Sequence, residues 1–348
     1  MSPARARRDL DEDDVRVRPG RGKSRPRTKD RPGHGDAVDG WVLAVDRGRF
    51  TCGVGTDGRG STVTAMKARE LGRKGVVVGD HVALVGELDG GPDALVRIVR
   101  VEPRTSVLRR TADDTDPVER VVVANATQLG IVTATADPAP RPRLVDRCLV
   151  AAYDAGLEPL LVVTKPDLAS PAELLDTYRV LDVPYVVTER GTDLGPLRAR
   201  LAGHRTVLVG HSGVGKSTVV NALVPGARRA TGAVNAVTGR GRHTSTSAVA
   251  LELPDSSGWV IDTPGIRSFG LAHVDPTRVV HAFPDLATGT AECPRRCSHD
   301  EPDCALDAWV AEGHADHQRL ESFRRLLRTR YQPDSDGASN TTPDTTPL

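Results

Sequence analysis

The stretch that decides the fold is residues 210–217, which read GHSGVGKS. Residues 206–209 before it, TVLV, are β-branched and apolar, and residues 218–223 after it, TVVNAL, can continue as a helix. A strand, a glycine-rich loop and a helix N-terminus are the setting that a phosphate-binding loop requires, because glycine lets backbone N–H groups turn towards phosphate oxygens. A chance glycine-rich turn is the alternative, and it would not explain the flanking strand and helix.

Two side chains of this loop have separate expected tasks. Lys216 should reach the β- and γ-phosphates as a catalytic cation, and the Ser217 hydroxyl should hold Mg²⁺. The loop therefore indicates a nucleoside triphosphate without saying which base it carries. The other residues predicted to line the phosphates are Gly210, His211, Ser212, Gly213, Val214, Gly215 and Thr218.

A second segment, residues 262–265, reads DTPG and follows the strand-like residues 259–261. An aspartate at a strand end can hold the water shell of Mg²⁺, and the N–H group of the glycine can contact the γ-phosphate. The match is short and gains its weight from the loop at 210–217. We therefore predict that Asp262 and Gly265 contact the nucleotide.

A third segment identifies the base. The residues Thr164, Lys165, Pro166 and Asp167 follow the apolar run 160–163. The carboxylate of Asp167 can accept hydrogen bonds from the N1–H and 2-amino groups of guanine, whereas adenine offers neither donor there. The aliphatic stem of Lys165 can cover the base. Together the three segments predict a site for GTP with Mg²⁺.

Their order is unusual, because the base-reading segment precedes the phosphate-binding loop. A chain permuted in this way can still close the same fold when the original termini lie close in space. In this order, and in blocks spread from about Gly40 to Tyr331, the chain resembles the circularly permuted, ribosome-small-subunit-dependent GTPases of the RsgA (YjeQ) type. The further blocks are Val78-Gly79-Asp80, Pro103-Arg104, Val107-Leu108-Arg109-Arg110, Ala124-Asn125, Val145-Asp146-Arg147, Gly241-Arg242-His243-Thr244 and a Cys/His cluster.

The resemblance implies a function. It implies a GTPase that is stimulated by the small ribosomal subunit, converts GTP to GDP and phosphate, and acts late in the maturation of that subunit. The protein would bind rRNA in its GTP state and leave after hydrolysis. The alternative is an RNA-binding module whose nucleotide site senses GTP without turnover. A P-loop kinase or transport ATPase is less compatible with Asp167.

Composition gives only broad limits. The chain has 348 residues, with 47 Lys and Arg against 46 Asp and Glu, so its net charge of +1 creates no field over the whole molecule. No apolar run approaches the roughly 18 residues of a membrane span, and the charged N-terminus lacks the apolar core of a signal peptide. We therefore expect a cytoplasmic protein without membrane contact. We also expect a monomer, an expectation that the composition does not decide.

The predicted architecture is an α/β fold of several parts. Five short strand-like runs between Gly40 and Val101, separated by turns, favour an OB-fold β-barrel, in which Trp41 and Phe50 serve as core or turn residues. Residues 105–118 are expected to be a polar linker. The full set of predicted parts is a disordered basic arm (1–37), the barrel (38–105), a circularly permuted P-loop GTPase domain (106–270), a zinc-binding helical domain (271–331) and a disordered tail (332–348).

The five cysteines are unevenly placed. Cys52 and Cys148 stand alone, whereas three of the five lie within twelve residues, which does not suggest a disulfide framework. Three thiolates and one imidazole complete a tetrahedral shell for a structural Zn²⁺. The predicted ligands are Cys293, Cys297, His299 and Cys304. The resembling family has the same ligand order, with the first and last gaps each one residue longer.

Two departures from related patterns bear on the rate of hydrolysis and on affinity. Thr164 stands where the family usually has Asn, so one hydroxyl replaces an amide that braces the phosphate-binding loop. Ile266 follows DTPG, where Ras-like GTPases carry a water-orienting glutamine, which predicts slow hydrolysis without a partner. His243 is a candidate catalytic substitute, with a surface histidine as the alternative. Thr244 or Ser245 would bring a hydroxyl to Mg²⁺.

Overall fold

The computed structural model describes residues 34–72, 75–89, 96–111, 119–226, 248–264 and 270–329. Nearly all of them belong to one compact unit, Asp36–Leu348. The predicted tail and all but the last four residues of the predicted basic arm lie outside the described residues. Within the described ranges, every helix is too short or too polar to cross a membrane.

The first five strands close into a barrel. Strands β3 and β5 pair in parallel, whereas the other neighbours pair antiparallel, and β4 returns to β1 to complete the ring. The side chains of Trp41 and Phe50 are buried, as predicted for core residues. The order around the ring, β1-β2-β3-β5-β4, confirms the predicted OB-type barrel. The strands are β1 (Val38–Asp46), β2 (Arg49–Val54), β3 (Thr62–Lys67), β4 (His81–Val85) and β5 (Val96–Val101).

The prediction of a polar linker at 105–118 is wrong for its first half. Residues Val107–Arg110 form strand β6, which pairs antiparallel with β7 (Arg120–Ala124). The reason is that Leu108 is buried in the central core while Arg109 points to solvent, an alternation that is too short to stand out in the sequence. Residues 112–118 lie outside the described residues.

The next six strands extend the sheet in the order β10-β9-β8-β11-β13-β12. They pair in parallel except for the antiparallel hairpin β12–β13. The central strand β11 leads into the phosphate-binding loop, yet β8 to β10 precede it in the chain, so the GTPase fold is permuted as predicted. The strands are β8 (Gln128–Ala134), β9 (Glu158–Thr164), β10 (Tyr185–Thr188), β11 (Arg205–Val209), β12 (Val249–Glu252) and β13 (Trp259–Asp262).

Helices cover both faces of this sheet and create two apolar layers. Side chains of α1 and of the C-terminal helices fill one layer, and side chains of α3 and α4 fill the other. This doubly wound arrangement brings the carboxyl ends of β8, β9, β10, β11 and β13 to one edge of the sheet, where ligands bind in such folds. The helices of this part are α1 (Pro142–Asp154), α2 (Ala172–Arg179), α3 (Gly195–Leu201) and α4 (Lys216–Leu223).

The C-terminal part is helical. The last helix lies inside the predicted segment 314–330 and begins after Asp316, whose carboxylate accepts hydrogen bonds from the N–H groups of Gln318 and Arg319. Its apolar face packs on α1, where Arg325 also pairs with the buried Asp146. The helices are α5 (Pro276–Val280), α6 (Pro284–Gly289), α7 (Ala305–Ala311) and α8 (His317–Arg328).

Candidate functional site

The phosphate-binding loop joins β11 to α4 as the sequence predicts. Gly213 and Gly215 have φ angles of 86° and 91°, in the left-handed region that glycine adopts without strain. A Cβ atom on Gly210 would lie 2.5 Å from the carbonyl oxygen of Val132, so this position requires glycine for a different reason, the close approach of β8. The loop therefore has the backbone shape that exposes N–H groups to phosphate oxygens.

Lys216 lies at the start of α4, and its side chain is largely buried. Its Nζ atom donates to the carboxylate of Asp262 and to the carbonyl oxygen of Thr263. The hydroxyl of Thr263 in turn donates to the carbonyl oxygen of Leu208 at 2.7 Å, which fixes the end of β13 beside β11. The predicted catalytic residue Lys216 therefore forms an ion pair with Asp262, the residue predicted to hold the water shell of Mg²⁺.

Thr164 lies at the end of β9 and contacts the phosphate-binding loop directly. Its Oγ1 atom donates a hydrogen bond of 2.6 Å to the carbonyl oxygen of Val214 and lies 3.2 Å from the carbonyl oxygen of Thr133. A hydroxyl carries a single hydrogen, so the shorter contact is the donated bond. The threonine thus braces the loop, although with one donor rather than the two of an asparagine amide.

The base-reading segment follows in an unusual backbone conformation. Lys165 has a φ angle of 55°, and the hydroxyl of Thr135 donates to its carbonyl oxygen. The Nζ atom of Lys165 donates to the carbonyl oxygen of Asp137, which lays the side chain across the edge of the sheet. Asp167 is exposed at the mouth of the site, so its carboxylate is free to meet a ligand.

A cavity of about 760 Å³ joins these segments. Asp167, Gly215 and Thr218 all line it, so the predicted base reader and the end of the phosphate-binding loop face the same space. Much of the remaining lining is residues 188–195, from the end of β10 to the start of α3, which the sequence interpretation did not include. The available signal was topological, because β10 ends at the same sheet edge as β9 and β11.

The other predicted residues have mixed outcomes. Nine described residues of the predicted site do not line this cavity: Pro166, Gly210, His211, Ser212, Gly213, Val214, Lys216, Ser217 and Asp262. His211 donates through Nδ1 to the carbonyl oxygen of Ser212 at 2.8 Å. Five predicted residues lie outside the described residues, so their placement stays a prediction. They are His243, Thr244, Ser245, Gly265 and Ile266.

The four predicted metal ligands meet in one cluster, with ligand atoms within 4.8 Å of one another. The sulfur of Cys293 lies 3.9 Å from that of Cys304 and 3.7 Å from Nδ1 of His299. A tetrahedron with metal–sulfur bonds of about 2.3 Å has edges of about 3.8 Å. The donors Cys293, Cys297, His299 and Cys304 therefore fit a closed Zn²⁺ shell in both chemistry and spacing.

The surroundings of this cluster orient the donors. His299 has a φ angle of 65°, and its carbonyl oxygen accepts a 2.9 Å hydrogen bond from Nε of Arg324 on α8. Burial lowers the pKa of His299, so its ring is neutral at neutral pH, as a metal-binding imidazole must be. Burial also raises the pKa of the Cys297 thiol, which donates to Glu301 at 3.1 Å.

Comparisons with known proteins agree with this geometry. Residues 101–272 match the family model described as RsgA GTPase. The protein named small ribosomal subunit biogenesis GTPase RsgA from Pseudomonas aeruginosa (strain PAO1) is 40% identical over 269 residues, which cover 74% of this chain and 77% of that protein. The chain belongs to the RsgA GTPase family. A second family member, from Chlorobaculum parvum, is 38% identical over 286 residues, covering 79% of this chain and 92% of the relative.

Solved structures support the same assignment. The crystal structure of YjeQ from Thermotoga maritima matches with a TM-score of 0.61 at 25% identity, covering 85% of this chain and 99% of the other. The structure of YloQ, described as a circularly permuted GTPase, matches with a TM-score of 0.59 at 20% identity, covering 87% and 98%. The second likeness concerns the fold alone. The resemblance drawn from the sequence, including the permuted order, is therefore confirmed.

Proposed function

We propose that this chain is a GTP-hydrolysing assembly factor that acts in the late maturation of the small ribosomal subunit. The observation that carries the proposal is the cavity that Asp167 shares with Gly215 and Thr218, in a chain whose relatives are named small ribosomal subunit biogenesis GTPases. The GTP-bound protein binds rRNA and the small subunit, and hydrolysis releases it. The protein acts as a monomer in the cytoplasm.

Base selection rests on Asp167. Its exposed carboxylate accepts the two guanine donors, and no equivalent pair exists on adenine. Residues 188–195 line the same cavity and would contact the base beside Asp167. Lys165 is held against Asp137, which keeps its stem at the base side of the cavity. GTP and GDP are therefore the nucleotides of this site.

Charge stabilisation rests on Lys216. Its ammonium group lies between the phosphate-binding loop and β13, where negative charge develops on the γ-phosphate during hydrolysis. Ser217 and Asp262 are the residues that would hold Mg²⁺, and the ion, when bound, neutralises phosphate charge. Without nucleotide, the carboxylate of Asp262 balances the charge of Lys216. Both side chains are therefore already located where the phosphates and Mg²⁺ would bind.

The rate of hydrolysis depends on the partner. Ile266 offers no hydrogen bond to water, and His243 is proposed to orient the attacking water once the small subunit has docked. The hydroxyl of Thr244 or Ser245 would complete the Mg²⁺ contacts. Separately, one structural Zn²⁺ held by the cluster at 293–304 stabilises the C-terminal helical part.

Co-sedimentation with mature small subunits tests the partner. We expect the protein to pellet with small subunits in the presence of a non-hydrolysable GTP analogue. It should stay in solution when GDP replaces the analogue, and also when large subunits replace the small subunits. Binding that is equal with the analogue and with GDP would contradict the GTP-dependent cycle. It would favour the RNA-binding module with a merely sensing nucleotide site.

A further inference from the structure

The barrel and the GTPase sheet share a backbone connection beside the nucleotide site. Strand β1 pairs with β4 only along Val38–Trp41, so its edge beyond that point is open to another strand. There Ala44 pairs with Val249, the first residue of β12, and Val249 pairs with Asp262 on β13. Ala44, Val249 and Asp262 thus form a continuous rung from the barrel to the carboxylate beside Lys216.

The far end of the same hairpin is held by a side chain of the barrel. Arg59 donates through Nε to Glu252 at 2.6 Å and through Nη2 to the carbonyl oxygen of Ser256 at 2.7 Å. Glu252 is the last residue of β12, and Ser256 lies in the turn to β13. The barrel therefore contacts the hairpin at both of its ends.

An aromatic pair lies at the same end of the hairpin as Arg59, since Trp259 pairs with Glu252 across the hairpin. The rings of Trp41 and Trp259 meet edge to face with their centroids 4.6 Å apart. Trp41 is fixed in the barrel by a 2.8 Å hydrogen bond from its Nε1 atom to the carbonyl oxygen of Gly79. Such pairs add about 0.5–1.5 kcal/mol beyond the area that they bury. Both an ion pair and an aromatic contact thus hold the turn end of the hairpin to the barrel.

The loop that carries Arg59 is built to hold its shape. A Cβ atom on Gly53 would lie 1.9 Å from the carbonyl oxygen of Gly58, so these two backbones can approach only as glycines. The N–H group of Arg59 donates to Asp57 at 3.1 Å, and its guanidinium lies 3.9 Å from the other oxygen of that carboxylate. Arg59 is therefore presented to Glu252 from a preorganised turn.

We propose that Arg59 is a positioning residue for GTP hydrolysis. By holding β12 against the barrel, it keeps the Ala44–Val249–Asp262 rung in register, and docking of the barrel on the small subunit is transmitted along this rung to the nucleotide site. This proposal rests on the proposed function, since it names the route by which the subunit stimulates hydrolysis. Arg59 is not among the residues that line the cavity, and it contacts Glu252 at the end of β12, so its effect would pass through β12.

The Arg59–Glu252 ion pair is partly open to water, with 34% of each side chain exposed, so its electrostatic energy is small. Its contribution is to fix the position of β12 relative to the barrel. Contacting residues that share a network commonly couple strongly enough to change an equilibrium about three- to tenfold. This is the size of effect that the test should find. A wholly structural role would instead lower stability without separating stimulated from unstimulated hydrolysis.

The test compares four full-length proteins: unaltered, Arg59→Glu, the charge exchange Arg59→Glu with Glu252→Arg, and the control Arg100→Glu. Arg100 pairs with Glu102 at 2.5 Å within the barrel and does not contact the hairpin, so the control alters a barrel arginine without touching the rung. Amide hydrogen exchange at Val249–Glu252 is measured without nucleotide or subunits. GTP turnover is measured with and without saturating small subunits.

We expect Arg59→Glu to speed exchange at Val249–Glu252 and to lower the subunit-stimulated kcat, each by about three- to tenfold. The unstimulated rate and the KM for GTP should stay within about twofold of the unaltered values. The charge exchange should recover most of both losses, and Arg100→Glu should behave as the unaltered protein does.

Two results would overturn this inference while leaving the proposed function standing. One is normal stimulation of the unaltered protein with no effect of Arg59→Glu on exchange or on kcat. The other is a loss that the charge exchange does not repair. If small subunits do not stimulate the unaltered protein at all, the proposed function fails, and this inference fails with it.

Discussion

The hydroxyl of Thr164 donates a 2.6 Å hydrogen bond to the carbonyl oxygen of Val214. This bond connects the end of β9, where the proposed guanine-reading segment begins, to the middle of the phosphate-binding loop, so the two segments are positioned together. Thr164 is 5% exposed, and its bond is therefore made away from competing water. A buried hydrogen bond of this kind has a measurable effect when one partner is removed.

Replacing Thr164 by Val keeps the shape of the side chain and removes its only donor. Leaving the Val214 carbonyl without its partner should cost about 1–2 kcal/mol, which corresponds to a loss of about five- to thirtyfold in GTP affinity. Thr164→Ser should bind as the unaltered protein does, and Thr164→Asn should bind more tightly. Titration with a fluorescent GDP analogue measures all four proteins. Equal affinities for the Val and Ser variants would show that the brace does not matter.

Asp167→Asn should change the preferred base. An amide cannot accept both guanine donors, whereas its N–H group can pair with the extra ring carbonyl of xanthine. GTP affinity should fall about a hundredfold, and xanthosine triphosphate should become the better ligand. Asp193→Asn is the matched control, since Asp193 lines the same cavity and accepts from the N–H group of Gly195 at 2.8 Å. If Asp193→Asn rather than Asp167→Asn changed the preferred nucleotide, Asp193 would be the residue that reads the base.

The cluster at 293–304 should carry close to one zinc per chain in freshly purified, untagged protein. Cys297→Ser should release the metal and unfold the C-terminal helices, because binding and folding of such a segment are linked. GTP binding should persist, since the nucleotide cavity is lined by residues of another part of the chain. Cys52→Ser changes a buried barrel cysteine and should retain the metal. Elemental analysis that finds no zinc in the unaltered protein would refute the assignment.

The stability of the contact between the barrel and the GTPase sheet should depend on pH through His81. Burial, with help from the Arg205 guanidinium, lowers the pKa of His81, and nearby Asp80, Asp39 and Glu102 oppose this only in part. Nη1 of Arg205 also donates to Nε2 of the ring at 3.3 Å, which requires a neutral histidine. A lowered folded-state pKa means that the contribution to stability is present above the ordinary histidine pKa of about 6.5 and is lost as the pH falls below it.

Thermal unfolding between about pH 7.5 and pH 5.5 tests this in the window where histidine titrates. The Tm of the unaltered protein should fall with decreasing pH by more than that of His81→Gln, which stays neutral throughout. Other histidines titrate in both proteins alike, so the difference between the two curves isolates His81. Parallel curves would contradict the lowered pKa.

Much of the fold and of the candidate site could be predicted from local sequence patterns. The glycine loop at 210–217, the segment 164–167 and the four metal ligands each consist of consecutive or nearly consecutive residues. In the structure Asp167 and Gly215 line one cavity, and the four metal ligands meet in one cluster. The phosphate-binding loop needs its glycines for backbone shape, and the metal cluster needs its donors within reach of one ion. Physical requirements of this local kind are visible in sequence.

Long-range contacts were not visible in the same way. Residues 188–195 contain no motif that would identify them as cavity residues. They line the cavity because they follow a strand that ends at the same edge of the sheet. Arg59 and Glu252 are 193 residues apart, and only the folded chain shows that they meet. Strand β6 was missed because Arg109 and Arg110 make a four-residue strand look like linker. The sequence indicates that Thr164 offers one hydroxyl in place of an amide, but only the folded chain shows that this hydroxyl donates to the carbonyl oxygen of Val214.

The central claim is tested most directly by the rate of GTP hydrolysis under single-turnover conditions, alone and with mature small or large ribosomal subunits. We expect slow hydrolysis by the isolated chain, because the missing water-positioning group can cost on the order of 10³–10⁵ in rate. Small subunits should restore a large part of that rate, large subunits should not, and Lys216→Ala should abolish hydrolysis in every case. A rate that small subunits leave unchanged over a range of salt concentrations would contradict the assembly-GTPase account.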